Sequence, residues 1–146
     1  MKTLKTLSSI LLVCCFFISV FALLGIQVKA SSEDSLFVFE RKNVGYIYFT
    51  KERAKDDATG TYVYYVEASG QPYGSYFSVW SQGVNETTND SGIIYGGQQR
   101  RISQYVYEKG KRVCQLGISP RIQNIGRVHG LWSPDSVGSY PYCNLP

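Results

Sequence analysis

An all-β fold is predicted from three features of the sequence. No stretch after Ser31 sustains a helical apolar period over three turns. Short aromatic and β-branched runs recur instead, separated by Gly, Pro, Asn and Asp. From Ser31 onward 18 of 116 residues are aromatic, and broad rings pack well against cross-strand neighbours on a pleated surface. About seven to nine short strands in a chain of this size make a small antiparallel sandwich or a partly open barrel. With no internal repeat and no linker, residues 31–146 read as a single domain.

Residues 1–30 read as a signal peptide. Lys2 and Lys5 give a positive start, Leu7 to Leu24 is largely apolar, and Val28-Lys29-Ala30 has the small-residue pattern of a cleavage site. Two alternatives stay open: an uncleaved anchor over the 22 residues Leu7 to Val28, and a lipoprotein-type box at Leu11 to Cys14. Cleavage after Ala30 predicts a secreted or surface-associated protein whose membrane contact is confined to the signal.

The strands are read in order. Ser35 to Glu40 and Val44 to Thr50, joined by Arg41-Lys42-Asn43, are expected to form a hairpin with Tyr46 and Tyr48 on one face. Lys51 to Gly60 is a charged connection with room for one irregular helical turn. Tyr62 to Glu67 alternates as a strand with Glu67 at a wet end, and Gly70 to Gly74 around Pro72 turns the chain. In Tyr76 to Trp80, Trp80 is the expected core residue. Gln82 to Gly92 reads as an exposed loop with two formal N-glycosylation acceptors, at Asn85 and Asn89. After Ile93 to Tyr95, the runs Arg101 to Tyr107 and Lys111 to Ile118 flank Glu108-Lys109-Gly110 as a hairpin. In the second of these, Cys114, Leu116 and Ile118 are expected to face inward. Gly126 to Trp132 is the last strand.

Charge excludes one class of function. Of 15 basic and 11 acidic residues, Lys2, Lys5 and Lys29 precede Ser31, leaving 12 and 11, a net of +1. The strongly basic surface of a nucleic-acid binder is therefore missing. Loss of the signal also removes Cys14 and Cys15, so Cys114 and Cys143 remain and only one intramolecular pairing is possible. An oxidising exterior favours that C-terminal disulfide, with about 3 to 4 kcal/mol from closing the loop.

The tail Trp132-Ser133-Pro134-Asp135-Ser136-Val137-Gly138-Ser139-Tyr140, together with Lys55-Asp56-Asp57-Ala58-Thr59 ahead of Tyr62-Val63-Tyr64-Tyr65, resembles a family. It is similar to the small, exported, largely uncharacterised all-β proteins of Gram-positive bacteria that end in a WSPDS-x-GSY segment. Tyr105-Val106-Tyr107-Glu108-x-Gly110 matches a third family pattern, except that Lys109 stands where the family has asparagine. The resemblance implies bacterial export and a compact β fold, and it carries no catalytic residue. Read from the residues themselves, the tail is structural: Ser133 and Asp135 can satisfy backbone donors, Pro134 fixes φ, Gly138 permits a reversal, and Trp132 and Tyr140 cover the core's end.

No arrangement identifies a reaction. His129 is the only histidine, which rules out a multi-histidine metal site, and it reads as solvent-facing. Ser133 or Ser136 with His129 and Asp135 has the residue types of a hydrolytic triad but no nucleophile elbow. Glu67, Glu86 and Glu108 offer carboxylates for glycoside hydrolysis without any indication of their separation. Asp56, Asp57 and Thr59 lack the alternating acid spacing of a calcium loop, and a solvated charged turn is the simpler reading. No cofactor is expected.

The charge distribution is uneven. Ser31 to Asp90 holds five basic and nine acidic residues, Ser91 to Pro146 seven and two. The expected binding patch is therefore Tyr95, Arg101, Tyr105, Tyr107 and Arg112, a tyrosine and arginine surface for a cell-wall polymer, a glycan or a surface protein. The leading expectation is an exported, non-enzymatic β module. A bacteriocin-like or toxin-like protein and a cell-wall glycan hydrolase are the alternatives.

Overall fold

The computed structural model describes residues 32–42, 44–68, 74–121 and 125–145. The predicted signal peptide and the turn around Pro72 lie outside the described residues. Among the described residues ten strands form, all paired antiparallel: β1 (Ser35–Lys42), β2 (Tyr48–Phe49), β3 (Arg53–Ala54), β4 (Thr61–Ala68), β5 (Ser75–Ser81), β6 (Val84–Asn85), β7 (Gly92–Ile94), β8 (Gln98–Ile102), β9 (Val113–Pro120) and β10 (Ile125–Ser133).

Two sheets result. The first runs β1-β10-β4-β8, and the second runs β2-β9-β5-β6 with β3 also on β9 and β7 also on β5. They remain separate, with β1 and β8 as edges of the first, so the arrangement is an open sandwich and not a barrel. Period-two alternation supplies both inner faces. Phe37, Val63, Tyr65, Ile102, Val128 and Trp132 from the first sheet meet Phe77, Val79, Ile94, Cys114, Leu116 and Ile118 from the second. Each such side chain, taken out of water, contributes about 1.5–3 kcal/mol. Phe77 anchors the middle, edge-on to Tyr65 at 5.3 Å and to Phe37 at 6.2 Å between ring centroids.

Close backbone approach fixes one position in the first sheet. A Cβ on Gly130 would lie 2.1 Å from the Tyr64 carbonyl and 2.7 Å from Phe37. The β10–β4 register shifts between His129 and Gly130, and the strand needs glycine to pass beneath Phe37.

Several expectations are corrected. β1 and β2 do not form a hairpin, because β1 pairs with β10 and β2 with β9 in the other sheet. The Arg101–Tyr107 strand ends at Ile102, and residues 103–112 cross from one sheet to the other, so β8 and β9 do not pair. Trp80 is half-buried on the outer face of β5, whereas Phe77 and Val79 fill the core. The 82–92 segment is not wholly exposed, since Glu86 and Thr87 are buried. Thr87 Oγ1 accepts the Val79 amide at 2.6 Å, which turns that hydroxyl inward.

The predicted disulfide is also overturned: Cys114 and Cys143 are free thiols. Cys114 lies one step beyond the Gln115–Trp80 pair on β9, level with Ser81, whereas Cys143 sits against Gly92, opposite Phe77. Four residues along β5 correspond to about 13 Å, well beyond the roughly 7 Å that a disulfide can span between Cα atoms. The inward orientation of Cys114, Leu116 and Ile118 is as expected.

Candidate functional site

The two motifs that carried the family resemblance fold into one buried knot. Lys55 is fully buried and Asp135 nearly so; Nζ of Lys55 donates to Oδ1 of Asp135 and to the Thr59 carbonyl at 2.6 Å. The other Asp135 oxygen accepts the Asp56 amide at 2.9 Å. Burial raises the Asp135 carboxyl above its ordinary 3.8, and the bonds from Lys55 and Asp56 offset only part of that rise. Around the pair, Ser133 Oγ donates to the Asp135 carbonyl at 2.7 Å, Thr61 Oγ1 donates to the Pro134 carbonyl at 3.1 Å, and the Ser136 amide donates to Thr59 Oγ1 at 3.0 Å.

This geometry answers two of the catalytic readings. The described hydrogen bonds of the Asp135 carboxylate all go to the Lys55–Asp57 segment, none to His129, so the triad does not assemble. His129 is half-buried and not solvent-facing; its Nδ1 is shielded and without a hydrogen-bond partner among the described residues. Asp57 is tied to the Thr59 amide at 2.7 Å and to the Thr59 hydroxyl. Burial would raise its pKa, but these bonds prevail and lower it. Lys55 occupies the centre of what was read as a solvated turn.

In the rest of the tail Trp132 enters the core, whereas Tyr140 lies on the outer face and not over the core's end. Trp132 is buried in the core, with the Arg53 guanidinium 5.5 Å from its ring centre and donating to its carbonyl at 3.0 Å. Tyr140 packs on Tyr62, with ring centroids 4.8 Å apart, on the outer face of the first sheet. Gly138 lies against the Tyr140 ring, where a Cβ would approach within 2.8 Å.

The expected binding residues fall into three groups. Arg101 belongs to the closure: Nε donates to the Tyr140 carbonyl at 2.7 Å, and its guanidinium lies 4.3 Å from the Tyr142 ring centre. Tyr95 is exposed in the β7–β8 turn. The length of β8, about 16 Å, separates that turn from the 103–112 crossover. Tyr105, Tyr107 and Arg112 all lie on the crossover, where Tyr107 meets Arg112 and Tyr105 meets Lys109. Arg112 lies 4.1 Å from the Tyr107 ring centre, and Lys109 lies 5.8 Å from that of Tyr105.

A carboxylate from the 82–92 segment, expected to be exposed, organises this patch. Glu86 is 2 % exposed and accepts Lys109 Nζ at 2.6 Å and Lys111 Nζ at 2.5 Å. Burial raises its pKa, yet the two ammonium groups outweigh it and hold the carboxyl below its ordinary 4.5. Glu86 is thereby consumed in positioning the crossover, Glu108 is exposed, and the Glu67 side chain lies outside the described residues. Two lysines two positions apart, opposite one acid, were the only sequence signal for this cluster.

Fold and surface together define a two-sheet β module carrying exposed aromatic and cationic groups. Residues 18–136 match the family described as "Protein of unknown function (DUF2712)", and the chain belongs to it. No curated protein and no solved structure matches the chain. Among the described residues no helix is long and apolar enough to cross a membrane.

Proposed function

We propose that this is an exported, non-enzymatic binding module of a Gram-positive cell, acting at or beyond the envelope through the Tyr105–Arg112 crossover. The single observation carrying this reading is the stacked pair Tyr107 and Arg112 beside Tyr105 and Lys109. Arginine and lysine over tyrosine rings present a flat, cationic, amphipathic surface, which suits polymers with sugar rings and anionic groups. Support for export comes from the signal-like residues 1–30 and from the WSPDS-type tail. The buried Glu86 anchors Lys109 and Lys111 from below, which pre-organises the surface before a ligand arrives.

The test is co-sedimentation of the purified chain with insoluble Gram-positive cell-wall material. Saturable binding that falls about tenfold in Tyr105→Ala with Arg112→Ala supports the proposal. Absence of binding, or binding indifferent to both substitutions, contradicts it.

A further inference from the structure

The outer face of β5 carries a second surface. Alternation puts Tyr76, Ser78 and Trp80 outward, and Tyr76 and Trp80 are separated by about 13 Å along the strand. Trp80 is fixed on both sides: Nε1 donates to Ser78 Oγ at 2.8 Å, and Phe49 meets the indole edge-on at 5.4 Å. Beside Ser78 the neighbouring strand carries Gly117, and the Ile47 and Trp80 side chains lie over that glycine. A Cβ on Gly117 would lie 2.9 Å from Ser78 Oγ and 3.0 Å from both Ile47 and Trp80. A trough of about 280 Å³ lies along this face, with Asp90 and Ser91 on its β7 side and Ser119 on its β9 side. The side chains of these three have no hydrogen-bond partner among the described residues.

Three features select the ligand. Aromatic faces at each end suit the apolar C–H faces of sugar rings, while unpaired hydroxyls and a carboxylate at the rim suit equatorial hydroxyls. A protein partner would favour a continuous apolar centre, but here Ser78 stands between the rings and Ser91 and Ser119 line the trough beside them. Among the described residues Asp90 is the one charged residue lining the trough, and the Arg121 guanidinium lies 5.5 Å from the Tyr76 ring centre. A single acid and a single base are therefore near the site, and no cluster of one charge favours an ionic ligand. We propose that the trough binds the pyranose rings of an uncharged oligosaccharide. The inference rests on the reading of the chain as a binding module and gives it a ligand class and a site apart from the crossover.

Trp132 is buried in the core, so tryptophan fluorescence responds at Trp80. The full chain is titrated with chitopentaose and, separately, with maltopentaose, which distinguish β-linked from α-linked chains. The expected result is a saturable fluorescence change with one of them, weakened about tenfold by Tyr76→Ala and nearly unchanged in Tyr76→Phe. Tyr76 is 40 % exposed, so its loss leaves the core intact. No saturation with either sugar, or equal affinity in Tyr76→Ala, overturns the proposal. Repeating the cell-wall sedimentation with Tyr76→Ala separates the two readings. Undiminished binding that still depends on Tyr105 and Arg112 leaves the crossover standing and removes the trough, whereas loss only in Tyr76→Ala does the reverse.

Discussion

Lys55 and Asp135, 80 positions apart in sequence, meet as a buried ion pair that joins the charged connection after β3 to the tail after β10. The ammonium and the carboxylate are each satisfied by further bonds, to the Thr59 carbonyl and the Asp56 amide. Desolvation still outweighs these bonds at Asp135, whose pKa is raised, so the weight of the pair is seen when one partner is taken away.

Removing one partner strands the other. Lys55→Met and Asp135→Asn are each expected to cost about 3–5 kcal/mol in urea unfolding. The double variant should lose less than the sum by about 1–3 kcal/mol, because neither charge then remains unpaired. Additive losses would show that the two groups act independently.

Acid should loosen the crossover through Glu86. Its carboxyl titrates below 4.5 in the folded chain, so the unfolded chain binds its proton first. The stability this adds is complete above about pH 4.5 and disappears as pH falls through the folded value. Glu86→Gln should cost about 1.5–3 kcal/mol at pH 7 and make unfolding flatter with pH below 4.5. An unchanged acid limb in urea titrations would remove Glu86 from the account.

The thiols should behave as unpaired, Cys114 buried and Cys143 half-buried. Burial pushes Cys114 up to about 12 and Cys143 up to about 11, against an ordinary value of 9.0. The folded chain therefore keeps these protons after the unfolded chain has lost them. Their contribution is present below pH 9 and is lost as pH rises towards 11 and 12. In the chain from Ser31 onward, a thiol reagent should label Cys114 only in denaturant and the half-buried Cys143 more readily than Cys114 in the native protein, with an intact mass that shows two sulfhydryls. Rapid native labelling of Cys114, or a mass two hydrogens short, would contradict this.

Much of the fold was legible, and what was not has physical causes. Alternation in Val63 and Tyr65 and in Cys114, Leu116 and Ile118 identified inner faces, because burial on one side of a strand leaves a period-two mark. Pairing left no such mark: the turn residues between β1 and β2 and between β8 and β9 resemble hairpin loops, yet each carries the chain between sheets. Trp80 was misplaced because ring size suggests burial, while the core choice went to the neighbouring Phe77 and Val79. The cysteine pairing followed from number and compartment, and neither encodes distance. At the site, Tyr107 and Arg112 were legible as a loop pair, but the role of Glu86 depends on a contact 23 to 25 positions away.

Glycine 130 offers a purely steric check. A methyl group at that position would collide with the Tyr64 carbonyl and with Phe37, so Gly130→Ala should destabilise the chain by about 3 kcal/mol. Thermal unfolding near that of the parent would mean that β10 does not pass so close to β4.

Ligand binding at the Tyr105–Arg112 crossover can be read residue by residue from amide chemical shifts. With soluble fragments of Gram-positive cell wall added to the labelled chain, dose-dependent shifts should appear across residues 104–112. A spectrum in which those amides stay fixed throughout the titration would contradict binding there.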